Sequence, residues 1–600
     1  MSQRRIEFSV TLTVASPVLC QGISPVAQGI DSSFLRNQEA VPIISADQIK
    51  GLCRDTCRSL FPDQVVSLFG PGSGDLQPGD SLAPSRSRLI FSDLAATSTL
   101  AALRGTPTPF SDSRSSFTRI QIDDETGAAK DGQLQVIEMI AEPGTLIVFT
   151  GSLIAYVDTD QGPETLGNDL QLMLATIPAI GAFKSIGFGE VRGASLVPKN
   201  LEPCPKSRAL AQLPERIRFA ARFDRPVLFD ADRVEDNIFR GSLIAPGAVV
   251  KGALATRLAR EGKLDGLSSV LSEARISHAF PMTADGQRLA RSLPLSLARA
   301  GNCTVDLLLC AHPESSAVIN GEAVIFQPDW KPQDFRQATA NLQWPTTDGL
   351  SASEQRTRTA IADGVAADQQ LFVYQSVPSR VAGQEVEWMF EVLRGSNAND
   401  AEWGALIACL DQGLDQVGKT DATMTVRELD MDAGSPPPPL ISGDRVAWAI
   451  TLETPALLVD MQGPWDAAQQ YTDYWSEALG ISETPRLESY FAGENIRGGY
   501  LAMRRRTEGT TSYSPWLVTK AGSVFLLSVT RAAREEMERA LERLAAHGLP
   551  LRVDANLKRR PTWEECPYVP ENGYGAISFH HDDHLRLATG TQAWTPEHDT

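Results

Sequence analysis

Six hundred residues exceed what one hydrophobic core can hold, and they predict about three to five domains. The composition is 42% apolar and 22% charged with 46 Gly and 38 Pro, which suits many strands and turns and excludes long helical bundles. A net charge of −19 excludes indiscriminate coating of polyanions, so any nucleic-acid site must be a narrow, locally basic groove.

The opening MSQRRIEFSVTLTV lacks an apolar signal region and reads as a strand. Over residues 6–14 apolar and polar side chains alternate strictly, as in a half-buried strand, and Ser16-Pro17-Val18-Leu19 follows as a turn. The same signature returns at 217–223 before Arg225-Pro226-Val227-Leu228, and at 446–452 before Thr454-Pro455-Ala456-Leu457. Three such openings predict three domain starts. Pro-rich, aperiodic stretches at 196–215 and 434–442 read as linkers, giving domains at 1–205, 215–433 and 443–590.

Within the first two copies further pieces correspond. Lys50-Gly51 and Lys251-Gly252 each start a helix after a turn. Segments 117–140 and 357–377 each carry an Arg, a short strand, a polar turn and a second strand, which predicts hairpins. Another strand at 145–157, a helix and a terminal segment complete each copy. Sheets with helices on one face make an α+β chain of three tandem ferredoxin-like domains. The eight cysteines show no paired metal spacing, and Cys53 and Cys57 read as structural thiols. No apolar run approaches the ~20 residues of a bilayer span, so the expectation is a cytoplasmic protein with reduced thiols and no membrane partner.

Chemistry concentrates at the ends of the copies. The first closes with IPAIGAFKSIGFGEVR, in which Gly181, Gly187 and Gly189 permit positive φ while Lys184 and Ser185 offer phosphate contacts. The spacing fails as a dinucleotide fingerprint. The third closes with a shorter PENGYGAISF carrying Gly573 and Gly575, and the second lacks the later glycines. Lys50, Arg54 and Arg58 share one helix face, a solvated surface or an RNA contact. Arg504, Arg505 and Arg506, near Tyr490, Phe491, Tyr500, Tyr513 and Trp516, pair phosphate contact with base stacking, although such aromatics are more often core. His580-His581-Asp582-Asp583-His584 reads as an exposed tail rather than a metal site.

These motifs make the chain similar to the RAMP superfamily, the repeat-associated proteins of CRISPR systems. The helix-initiating turn, the hairpin and the closing IPAIGAFKSIGFGEV resemble the backbone subunit that lines up along CRISPR RNA (crRNA) in type III complexes; this match covers residues 1–200. One departure is Ile44-Ser45-Ala46-Asp47 in place of a Pro-Gly-Ser-type turn. Residues 215–590, through EDNIFRGSLIAPGAVVKGALA, the Arg356–Leu371 hairpin, AGSVFLL and ENGYGAI, resemble the type III-D subunit that caps the 5′ tag. The chain thus looks like a fusion of the two.

The resemblance implies crRNA contacts at Lys50, Arg54, Arg58, Arg119, Gly181, Lys184, Ser185, Gly187, Gly189, Arg240, Lys251, Arg358, Arg504, Arg505, Gly573 and Gly575. It also implies target-RNA cleavage by one loop aspartate, with the family's G-x-D element falling on Gly29-Ile30-Asp31. A carboxylate there suits Mg²⁺ or Mn²⁺, or orients the attacking 2′-hydroxyl. Asp232 has the same spacing before Lys251, but the capping family is not expected to cut. Implied partners are crRNA, complementary target RNA, other RAMP backbone subunits, a large polymerase-like subunit and a small helical subunit. A purely structural scaffold is the alternative. A guide-processing endoribonuclease ranks last, because no His stands in a glycine-loop context.

Overall fold

The computed structural model describes the chain apart from residues 1, 23–28, 72–85, 102–104, 113–114, 124, 161, 200–212, 231, 236, 290, 311–317, 320, 348–349, 351–353, 363–364, 431–435, 461–462, 464–465, 499–514, 553–559, 580, 589–593 and 597–600, and the side chains of 163, 232–233, 235, 359–362 and 365–370. The architecture is α+β. Its first unit contains β1 (Gln3–Ala15), α1 (Ala46–Leu60), β2 (Leu94–Leu100), β3 (Ser115–Ile122), β4 (Ala129–Met139), β5 (Leu146–Asp158), α2 (Pro163–Ala175) and β6 (Val191–Pro198).

The alternation of β1 sends Phe8, Val10, Leu12 and Val14 into the core, all fully buried, and leaves Ser9, Thr11 and Thr13 on the other face. On β1 that side carries hydroxyls at these three positions. In α1, Ser45 caps the helix by accepting from the Gln48 N–H, and Ile49, Cys53 and Cys57 recur every fourth residue on the buried face. The helix therefore starts a turn earlier than Lys50. The two thiols are packing groups, and burial pushes the Cys53 thiol up to about 12.

The strand order is β6–β1–β5–β2, with neighbours antiparallel. Strand β6 lies at the edge, where its outward backbone groups meet α2. The Gln171 carboxamide donates Nε2–H to the Ala194 carbonyl at 3.0 Å and accepts from the Leu196 N–H at 2.7 Å. The residues at 196–198, expected as linker, belong to this strand.

The second unit has β7 (Arg216–Phe223), α3 (Gly247–Arg260), α4 (Leu264–Glu273), β8 (Glu354–Ala362), β9 (Val365–Ser376), β10 (Glu387–Leu393), α5 (Asp400–Asp411) and β11 (Ala422–Leu429). The third has β12 (Arg445–Leu452), α6 (Ala467–Leu479), β13 (Arg486–Phe491), β14 (Val524–Thr530), α7 (Arg534–His547), β15 (Ile577–Ser578) and α8 (His581–Leu587). The second sheet runs β11–β7–β10 and then Arg275–Ile276; the third runs β15–β12–β14–β13. All three sheets thus share the order last–first–third–second, with helices after the first and third strands.

The third sheet differs in being covered on both faces. Trp448, Ile450 and Leu452 face the helices, while Ala447 and Ala449 face Leu308, Leu309 and Trp594. The covering comes from a small sheet built of Leu297–Ala300, Cys303–Asp306, Val318–Ile319 and Glu322–Phe326, together with α8. Small side chains at alternate positions let this second layer approach closely. Nothing in the sequence reading anticipated it. The expected linker at 434–442 likewise ends in a strand, Leu440–Ser442, paired to β12.

Units one and two are joined by charge. Asp93 accepts from the Ala46 N–H at the start of α1 and takes a two-pronged contact from Arg356 of β8, at 3.0 and 2.6 Å. Burial alone would raise the Asp93 pKa, but the Arg356 guanidinium holds it below the usual carboxylate range. Farther along the joint, Asp415 accepts from Arg5 at 2.8 Å and from the Tyr156 hydroxyl at 2.6 Å, and Arg260 lies 3.8 Å over the Tyr156 ring. Replacing Arg356 by Met removes the hydrogen-bonded guanidinium from Asp93 and leaves the Arg225 charge as its nearby cation. The expected loss is about 2–3 kcal/mol in chemical denaturation, with non-additivity against Asp93→Asn in a double-mutant cycle. Because the Asp93 pKa is depressed, its contribution is present above the normal carboxylate pKa and disappears as pH falls through the folded value.

Candidate nucleic-acid interface

The first unit's closing segment folds back on the turn that ends β1. The Gly189 N–H donates to the Pro17 carbonyl and the Ala182 N–H to the Leu19 carbonyl. Gly181 and Gly189 sit at φ 90° and 69°, and a Cβ there would lie 2.3 Å from the Leu19 carbonyl oxygen and 1.9 Å from that of Ile180. These two glycines let the chain approach itself. Gly187, at φ 92°, has nothing within 4 Å of its Cβ direction, so only it faces open space. Lys184 and Ser185 lie in a single exposed 3₁₀ turn beside it.

The hairpin of β3 and β4 leans onto this loop. Phe117 meets Phe188 edge-on at 5.4 Å, Phe183 meets Phe188 at 5.7 Å, and the Arg119 guanidinium lies 5.2 Å over the Phe183 ring. Residue-by-residue reading missed this aromatic cluster. Its signal was the Phe on the hairpin matched by two in AFKSIGF.

Asp31 reaches the same hairpin from the other side. Its N–H donates to the Val136 carbonyl at 2.9 Å, and its carboxylate accepts from the Val136 N–H at 2.7 Å. Val136 pairs with Thr118, one residue from Arg119. The buried Glu138 fixes the approach by accepting from the Phe34 N–H at 2.7 Å and from Arg36 at 2.6 Å. The exposed Asp31 is one carboxylate, and among the described residues no group of three His, Cys, Asp or Glu side chains stands ready to hold a metal ion. A hard divalent cation would have to complete its shell with water and phosphate oxygens.

Other expected contacts are dispersed. Lys50 reaches Asp421 of unit two at 3.6 Å, Arg58 pairs with Asp55 at 2.8 Å, and Arg54 is half-buried between them on α1. Arg358 pairs with Asp47 at 2.8 Å and lies over Tyr374, which ties it to the joint of units one and two. Arg240 is exposed at the end of a short strand, its Nε donating to Gln375 at 3.0 Å.

Lys251 requires a correction: it is fully buried, not surface-facing. Its ammonium donates to the Ser272 and Ala274 carbonyls at 3.0 and 2.9 Å, terminating α4, and lies over Trp563. Desolvation lowers its pKa to about 7. Gly573 and Gly575 also serve packing. A Cβ on Gly573 would lie 2.6 Å from the His278 backbone nitrogen, so this glycine docks the third unit on the second. Tyr490, Phe491 and Trp516 pack against hydrophobic cores rather than forming a stacking surface. Arg504, Arg505 and Arg506, with Tyr500 and Tyr513, lie outside the described residues, as does the Asp232 side chain.

The expected exposed tail is also overturned. His581 and His584 are buried in α8. His581 accepts from the Ala449 N–H at 3.0 Å, and His584 meets Asp306 at 2.6 Å. The histidines are the means by which the C-terminal helix locks the added layer to the third sheet.

No family model matches the chain, and no curated protein matches it. Among solved structures it is similar to a chain of the type III-B Cmr-beta complex in its apo state, with 15% identity, TM-score 0.26, and coverage of 32% of this chain and 97% of that one. A chain of Cmr-beta bound to cognate target RNA gives 14% identity, TM-score 0.22, and coverage of 32% and 97%. A chain of Cmr-beta bound to cognate target RNA and AMPPnP gives 13% identity, TM-score 0.28, and coverage of 56% and 96%. Among the described residues no helix is long and apolar enough to cross a membrane.

Two predictions follow from the packing of these loops. Gly189→Ala forces its Cβ into the Ile180 carbonyl and should abolish the closing turn, whereas Gly187→Ala should cost only about 1–2 kcal/mol of backbone strain; thermal midpoints of the two variants distinguish them. Burial and the nearby Arg275 charge hold His278 neutral down to about 3. The unfolded chain therefore binds more protons between that value and the normal 6.5, and stability should fall as pH drops below 6.5, by up to about 1.4 kcal/mol per unit. Urea midpoints against pH should show a shallower slope for His278→Gln.

Proposed function

We propose that this chain is an RNA-binding subunit of a type III CRISPR effector complex, built from three tandem ferredoxin-like units: one of backbone type and two forming a capping module for the 5′ tag. The repeated last–first–third–second strand order supports the unit assignment. The observation that carries the functional reading is the convergence on one hairpin of Asp31, Arg119 and the loop bearing Lys184, Ser185 and Gly187. Arg119, Lys184 and Ser185 supply donors for the phosphates of a guide strand, and the local glycine at 187 admits a backbone close to the loop.

In this reading the Asp31 carboxylate orients the 2′-hydroxyl of a target strand paired to that guide. A hydrated Mg²⁺ or Mn²⁺ shared between Asp31 and the RNA phosphate would supply charge neutralisation when bound. The remaining chemistry of the chain is positional: the Val136 N–H and the Glu138–Arg36 pair hold the Asp31 loop against β4. Partners in this reading are crRNA, complementary target RNA, further RAMP backbone subunits, a large polymerase-like subunit and a small helical subunit, with assembly in the cytoplasm. A purely structural scaffold is favoured by a different observation, that the Asp31 carboxylate already accepts from backbone.

The complex assembled with guide and incubated with complementary RNA and Mg²⁺ separates these readings. Cleavage should fall at least about a hundredfold in Asp31→Ala with guide retention unchanged. Equal cleavage by both proteins, or none by either, would sink the slicer reading and leave the scaffold. A chain that never retains guide in the presence of its partners would sink both.

A further inference from the structure

A cleft of about 430 Å³ opens between the second and third units. Asp230, Arg240, His278, Glu453, Arg497 and Tyr574 are among the residues lining it. The volume is that of a small-molecule site and suits a nucleoside. Its inner wall is aromatic: the His278 and Tyr574 rings meet edge-on with centroids 4.6 Å apart. His278 accepts from the Gly247 N–H, so it enters the cleft as a neutral ring.

The charged groups divide evenly. Asp230 and Glu453 present acceptors only, and Arg240 and Arg497 present donors only. Burial, then the Asp230 charge, pushes the Tyr574 phenol up while Arg497 opposes it, so both groups bear electrostatically on the same ring. Glu453 is nearly fully buried, with one oxygen taken by the Ser578 hydroxyl. Asp230 adopts φ 36°, in the left-handed region that aspartate tolerates better than most residues. Two carboxylates cancel two guanidiniums, so the cleft does not favour a phosphate. It asks for a neutral ligand with donors on one edge and acceptors on another.

Guanine meets that description. Its N1–H and N2–H₂ are adjacent donors suited to a carboxylate, and its O6 and N7 are the paired acceptors that arginine contacts bidentately. Adenine and cytosine would turn a ring-nitrogen acceptor toward a carboxylate, and uracil has one donor between two carbonyls. Bases of single-stranded RNA are splayed out and read in this way, by edge contacts and ring packing. We propose that the cleft between units two and three is a guanine-selective base pocket, with Asp230 and Arg240 as its specificity-determining residues. This deepens the guide-holding reading of the capping module and rests on it for the identity of the RNA that delivers the base.

The test uses the full chain stripped of RNA, titrated calorimetrically with GMP, IMP, AMP and 7-deaza-GMP. GMP should bind saturably. Removing the N2 amine or N7 should each weaken binding at least about tenfold, and AMP should bind weaker still. Arg240→Ala, at an exposed site that folding does not need, should erase the preference for GMP over 7-deaza-GMP. Asp230→Asn should erase that over IMP. Equal affinity for GMP and AMP, or no saturable GMP binding, would overturn the pocket. Guide retention by the same preparation, with its partners present, is scored separately. Retention without GMP selectivity sinks the pocket alone, while GMP selectivity without guide retention upholds the pocket and sinks the guide reading.

Discussion

The arrangement of this chain depends on Asp93 being held between two positive partners of different kinds, a helix end and a cation. One is the positive end of α1, through the Ala46 N–H; the other is the guanidinium of Arg356, which arrives from the second unit. A partly buried carboxylate between such partners stays ionised, and an ionised carboxylate there demands that both partners remain in register. The start of α1, the turn before β2 that carries Asp93 and the hairpin of β8 and β9 are thereby fixed together. Asp415, with Arg5 and Tyr156, repeats the device farther along the joint. Hydrophobic contact alone would allow the units to slide; charge pairs with directional hydrogen bonds set one alignment.

This explains why several basic residues that look like nucleic-acid contacts are engaged with acids. Lys50 and Arg358 serve the joint through Asp421 and Asp47. Asp47 belongs to the turn Ile44-Ser45-Ala46-Asp47, and it meets an arginine of the neighbouring unit. With 74 acidic against 55 basic residues in the chain, the basic groups left for a ligand among the described residues are local, as at Arg119 and Lys184.

The parts of the fold legible in the sequence were those governed by local pattern. Alternation located β1, β7 and β12, polar turns between alternating runs located the hairpins, and the glycine-rich close of the first unit marked a loop with special backbone angles. What escaped was set by distant partners. Period-two alternation in VAWAITL reports one buried face, but Ala447 and Ala449 are as buried as Trp448, and only the layer supplied by 297–326 and α8 makes them so. The tail histidines were misread for the same reason, since their acceptor and donor partners lie more than a hundred residues away. Lys251 shows the limit of residue type as a guide: a lysine beside a glycine-containing turn can point inward when helix-end carbonyls await it. The glycines were recognised correctly as conformational, but sequence could not tell a glycine that admits a ligand from one that admits its own chain.

The Gln171 carboxamide has a wider consequence. By taking the Ala194 carbonyl and the Leu196 N–H, it occupies the bonding positions that another strand would use, so the outer side of β6 ends in a side chain rather than an open ladder. Pro198, lacking an N–H, blunts the same rim. The first sheet is therefore harder to extend on that side. A molecule placed beyond this edge must be held by side chains, loops or helix ends instead of by backbone pairing.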